Sequence, residues 1–117
     1  MLLRLLFLVP LLAVAAGVDV TGTWRFAVDT TAGAGEPTFV LKQTGETLTG
    51  SYSGALGEAP LKGTVKGNAI EFQFKIEPQG ETIVAEYKGT VESATSMKGT
   101  MKYGTFADGT WTAKKEK

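Results

Sequence analysis

From residue 20 onward, apolar and polar side chains alternate with a period of two, which is the signature of strands that bury one face. The clearest unit is the phrase Val20-Thr21-Gly22-Thr23-Trp24, in which an apolar residue, a glycine and a second apolar residue fall on one face. It returns as Leu48-Thr49-Gly50-Ser51-Tyr52, Leu61-Lys62-Gly63-Thr64-Val65, Tyr87-Lys88-Gly89-Thr90-Val91 and Met97-Lys98-Gly99-Thr100-Met101, and in shortened form as Gly109-Thr110-Trp111. Glycine on the apolar face lets a strand bend and a neighbour approach closely, so the repetition predicts a strongly curled sheet.

Taken in order, the pattern predicts strands over 20–28, 37–43, 48–53, 61–66, 70–77, 83–91, 97–103 and 109–114. The fifth alternates most cleanly, with Ile70, Phe72, Phe74 and Ile76 against Glu71, Gln73, Lys75 and Glu77. Thr44-Gly45 and Gly67-Asn68 read as tight hairpin turns. Residues 29–35 and 54–60 are rich in glycine and small side chains and read as loose connections. Phe106 and Trp111 differ in parity, which places a bulge at 107–109. No segment in this region carries a helical period. The expected fold is therefore an all-β, eight-stranded antiparallel up-and-down barrel, with a two-sheet sandwich as the alternative. Closure pairs the last strand with the first and brings 22–24 near 109–111.

In such a meander alternate connections share an end. One end receives 29–36, 54–60, 77–81 and 104–108, the longer loops, and the mouth of a barrel is a favoured place for a small ligand. The candidate ligand-binding residues at this end are Phe39, Tyr52, Phe74, Ile76, Tyr103 and Trp111, with Val28, Leu61 and Ile83 completing the wall. Tyr52 and Tyr103 can direct hydroxyls inward, where a phenol needs a partner. The loops carry Asp29, Glu36, Glu58, Glu77, Glu81 and Asp108, an acidic rim that favours neutral or cationic ligands. Trp24, Phe72 and Tyr87 are expected to plug the opposite end.

Composition narrows the chemistry. The chain has 117 residues with twelve basic and twelve acidic side chains, no histidine and no cysteine. Histidine- or cysteine-based nucleophile systems and metal sites are thereby excluded. The carboxylates fall on outward or loop positions, where burial does not prepare them for acid–base catalysis. The expectation is a protein that is not an enzyme and needs no cofactor. Scattered lysines argue against nucleic acid as a partner. Residues 1–17, with Arg4 ahead of an apolar run and then small side chains, read as a secretory signal peptide cut after Ala15 or Gly17. That segment is shorter than a membrane span requires. The expected organisation is a leader over 1–17 and a barrel over 18–117, secreted or periplasmic, without a stable membrane anchor after cleavage. A small apolar ligand is the expected partner, and the sequence names no protein partner.

Gly22-Thr23-Trp24 at the start of the first strand resembles the G-x-W signature of the calycin superfamily, which includes lipocalins, fatty-acid-binding proteins and avidins. Within it, residues 20–24, 48–52 and 111–114 are similar to the first, third and closing strands of avidins. That resemblance implies a ligand-binding barrel in which Tyr52 matches a tyrosine that contacts the ureido group of biotin, and Trp111 a tryptophan lent to a neighbouring subunit. The pattern departs from avidins at Arg25-Phe26, at Phe72 and Phe74, and at Met101-Lys102. Size and export also resemble periplasmic barrel inhibitors of metalloproteases, which usually carry a disulfide. The alternative function is a solid-core interaction or inhibitor module acting through its outer surface.

Overall fold

Alternating burial runs through every long strand of the protein. The computed structural model describes residues 19–77, 80–105 and 107–116. The leader read over 1–17, the Pro78-Gln79 part of one turn and Phe106 lie outside them. Nine strands form: β1 Gly22–Thr30, β2 Gly33–Gly35, β3 Thr38–Thr44, β4 Thr47–Gly54, β5 Gly57–Lys66, β6 Ala69–Ile76, β7 Ile83–Ser93, β8 Ser96–Tyr103 and β9 Ala107–Lys115. Consecutive strands pair antiparallel, and β1 also pairs with β9, so the sheet closes. The architecture is an eight-stranded up-and-down barrel with β2 as one short extra strand. Among the described residues there is no helix of four or more residues.

Closure runs from Trp24 opposite Lys115 to Thr30 opposite Gly109. Because the two strands are antiparallel, 22–24 and 109–111 lie at opposite ends of their ladder, not side by side as the sequence reading had them. Trp111 instead stands opposite Val28. At the Trp24 end, which we call the base, the indole Nε1 donates to the Val20 carbonyl at 2.8 Å. Lys115 lays its stem against Gly22, where a Cβ would meet Lys115 Cε at 2.7 Å.

The repeated glycines are explained by approach distance. A Cβ at Gly99 would run into the Lys88 carbonyl oxygen of the neighbouring strand. One at Gly50, whose φ is +151°, would run into that of Val40. Here a side chain is excluded by backbone, which is what a tightly curled sheet requires.

Four local readings change. Residues 29–35 are not loose: β1 turns at Thr31-Ala32 and returns as β2, with Val28, Asp29 and Thr30 opposite Gly35, Ala34 and Gly33. Glycine-rich sequence hid a hairpin. Residues 54–60 are likewise not a long connection, because β4 and β5 pair out to Gly54 opposite Gly57 around a two-residue turn, Ala55-Leu56. Pro60 is tolerated in β5 because pairing with β6 begins only at Leu61, so on that side Pro60 has no ladder to serve. The first hairpin turns at Gly45-Glu46, one residue later than expected, since Thr44 pairs with Thr47. No bulge lies at 107–109: the β8–β9 register is continuous from Tyr103 opposite Ala107. Ala107, Trp111 and Ala113 are all buried, so β9 keeps one inward parity throughout. The register shift is in β7, between Val91 and Ser93.

The interior is dry and aromatic. Phe26 stacks on Trp111 at 4.7 Å between ring centres and lies 4.3 Å from Phe39. Phe72 stacks on Tyr87 at 5.1 Å, and Tyr87 also borders Phe39, Phe74 and Trp111. Trp24, Phe26, Phe39, Ala85 and Tyr87 have no solvent exposure, and among the described residues no charged side chain is buried. The waist of the barrel is filled by its own rings, one of the two solutions open to eight strands.

Candidate binding site at the barrel mouth

Two hairpins rise above the filled waist at the end opposite the base. One is β1–β2. Its tip is locked by Thr30, whose hydroxyl donates to the Gly33 carbonyl at 2.8 Å and accepts from the Ala32 amide at 3.0 Å. The same tip is tied to β9, with the Thr31 amide donating to the Asp108 carbonyl at 3.0 Å. The other is β4–β5, which ends in Ala55-Leu56. Between them lies a cleft of about 520 Å³, lined by Val28, Thr30, Ala32 to Pro37, Tyr52, Ala55, Leu56 and Tyr103.

Tyr52 and Tyr103 are the chemistry of this cleft. Tyr52 points inward from β4, its ring stacked on Phe74 at 4.4 Å and 16°. Its hydroxyl sits beneath the β4–β5 tip and accepts from the Leu56 amide at 3.4 Å. Gly54 makes the room: a Cβ there would meet the Tyr52 hydroxyl at 2.7 Å. Burial pushes the Tyr52 phenol above its ordinary pKa, the Leu56 hydrogen bond opposes this, and Tyr103 nearby adds to the rise. Tyr103, half-buried at the end of β8, has its hydroxyl 3.2 Å from that of Tyr87. Burial raises the Tyr87 phenol furthest, with Tyr103 reinforcing it. Tyr52 and Tyr87 are therefore neutral at ordinary pH.

The six candidate residues divide by depth. Tyr52 and Tyr103 line the cleft. Phe39, Phe74 and Trp111 lie in the packed aromatic cluster with Tyr52, and Ile76 is buried at the end of β6. The ring packing thus sets these four beneath or beside the cleft rather than along it. Sequence reasoning missed Thr30, Gly33, Gly35, Pro37 and Leu56 as lining. The available signal was Leu56, an apolar side chain at a turn, which remains 38% exposed on the lip.

The rim carries the carboxylates expected of it. Asp29, Glu36, Glu58, Glu77, Glu81 and Asp108 are all exposed at this end, while Lys102 stands opposite Asp108 and offsets part of the charge. Among the described residues no group of His, Cys, Asp or Glu could hold a metal ion. A depression of about 580 Å³ on the outer wall is lined by Lys62, Glu71, Glu86 and Lys88 among others. Leu48, Phe72 and Tyr87 also border it, but they are buried and belong to the interior, so what this surface offers a ligand is mainly long, solvated side chains.

No protein-family model matches this chain, and no curated protein matches it either. Solved structures do. It is similar to a redesigned beta barrel, b11L5F_LGL, with a TM-score of 0.71 and 17% identity over 88% of this chain and 96% of that one. It is also similar to EF1p2_mFAP2b bound to DFHBI, with a TM-score of 0.61 and 17% identity over 84% of this chain and 94% of that one. At such identity the likeness is one of fold.

Proposed function

We propose that this protein is a non-enzymatic binding barrel that takes a small, largely apolar, neutral or cationic molecule in the mouth cleft. The carrying observation is the cleft itself, where two phenols and Leu56 converge between projecting hairpins above a sealed aromatic floor. A ligand there rests on the core rather than entering it. The barrel of EF1p2_mFAP2b, which resembles this one in fold, is seen bound to DFHBI; this agrees with a small-molecule role without choosing the ligand. The calycin-like G-x-W phrase points the same way. The acidic rim supplies the charge preference, since carboxylates repel an anion approaching a low-dielectric site.

Calorimetric titration with indane, 1-aminoindane and indane-1-carboxylate tests this reading. The neutral and cationic compounds are expected to bind and the carboxylate to bind least. If none binds, or the carboxylate binds tightest, the reading fails.

The filled waist also favours a second reading, a solid module that works through its outer surface as an interaction or inhibitor domain. Recovery of a stoichiometric protein partner whose footprint covers the strand faces and leaves the mouth open would favour it. Export is proposed from the leader pattern over 1–17, and intact mass of the protein recovered from cells checks it. A mass beginning at residue 16 or 18 is expected, and retention of Met1 to Gly17 would contradict it.

A further inference from the structure

Hydrogen-bond accounting at the mouth sharpens the ligand class. Each phenol has one proton to donate. Tyr87 has no solvent exposure, and its hydroxyl has a single partner among the described residues, that of Tyr103 at 3.2 Å. Leaving a buried donor unspent is costly, whereas a donor that reaches the cleft can be served from outside the protein. The economical arrangement has Tyr87 donating to Tyr103, which leaves the proton of Tyr103 directed elsewhere. Tyr103 is half-buried and borders the cleft. Tyr52 repeats the situation: its oxygen accepts from the Leu56 amide, so its own proton is also unspent. Tyr52 is only 2% exposed and lines the same cleft. Among the described residues neither proton has an acceptor.

From these two unspent donors we infer that the mouth selects an uncharged ligand bearing a hydrogen-bond acceptor, of which a carbonyl is the simplest. The inference rests on the proposed binding role and adds the group that the ligand must present. Carboxylates would satisfy the donors but are opposed by the rim, which includes Glu36 on the cleft itself. An amine brings more donors to a site already supplied with them. A neutral carbonyl meets both conditions, and the Ala32 to Pro37 wall and Leu56 cover the rest of a small ring.

The test compares 1-indanone with indane, which differ by one carbonyl, on the purified protein and on Tyr103→Phe and Tyr87→Phe variants. A hydrogen bond of ordinary net strength changes affinity about twofold to tenfold. Indanone is expected to bind several-fold more tightly than indane, Tyr103→Phe to reduce that preference, and Tyr103→Phe combined with Tyr52→Phe to remove most of it. Tyr87→Phe leaves the Tyr103 proton free to serve the ligand, so it should weaken indanone by about twofold or less. Equal binding of the two compounds by the unaltered protein would overturn the donor inference and leave the binding role standing. Binding of neither would overturn both. Tighter indanone binding by Tyr87→Phe would overturn the assigned direction, because it would mean that Tyr103 had been donating inward. Retention of the indanone preference in a folded variant that carries both Tyr52→Phe and Tyr103→Phe would overturn the donor inference.

Discussion

At the scale of single residues, the aromatic rings decide how deep anything can enter. Phe26 is in contact with Phe39, Phe72, Tyr87 and Trp111, so truncating it removes the keystone of the waist. Phe26→Ala is expected to cost about 3 to 5 kcal/mol, read as a lower urea midpoint; a loss under about 1 kcal/mol would show that the waist is loosely packed. The tyrosines give the protein an alkaline limit. A tyrosine phenol ordinarily titrates at 10.0, and burial raises both Tyr87 and Tyr52 above that. Below pH 10 the phenols are protonated in folded and unfolded chains alike. Above it the unfolded chain loses these protons first, so stability falls as pH rises. Melting temperature should drop above about pH 10, and the drop should be smaller in Tyr87→Phe. Strong phenolate absorbance at pH 10 in a Tyr103→Phe variant that keeps its native circular dichroism would contradict this. Which rings lie inside was legible, because parity alone places them. Their depth was not, since period-two alternation says which face a residue is on and nothing about how far a ring reaches across the lumen. Tyr87, assigned to plug the base, reaches Tyr103 with its hydroxyl.

At the scale of elements, alternation gave the long strands and failed where side chains are too small to carry it. Gly33-Ala34-Gly35 is a strand with no side chain larger than a methyl. Likewise Ala59 faces inward ahead of Leu61 in β5, but alanine beside Pro60 hides the period. Both misreadings shortened hairpins, and these hairpins frame the cleft. The expected contrast between long-loop and short-loop ends is accordingly weaker, for the mouth is built of projecting paired strands more than of loose loops. Glycine was read correctly as a mark of curl. Gly99→Ala sets a methyl against the Lys88 carbonyl. Forcing these strands apart is expected to cost about 1 to 3 kcal/mol, the range of core overpacking, measured by chemical denaturation. A variant as stable as the parent would show that the β7–β8 approach is not needed for closure.

At the scale of the whole molecule, closure and filling act together. The β1–β9 ladder removes the free edges of a meander, and the rings inside confine the proposed ligand to the mouth. Barrel closure could be inferred from an all-strand chain with one apolar face and no helix to cover it. The end of the barrel that carries the cleft was legible too, but most of its lining was not, because that depends on how far two hairpins overshoot their neighbours. The most direct measurement is an amide NMR titration of the isotopically labelled protein with 1-indanone. The account predicts shifts gathered on Thr30 to Gly35, Leu56 and Tyr103, with the base turns at Gly45 and Gly67 unmoved. Shifts spread through Phe26, Phe39 and Phe72, confined to the outer strand faces, or absent altogether would contradict it.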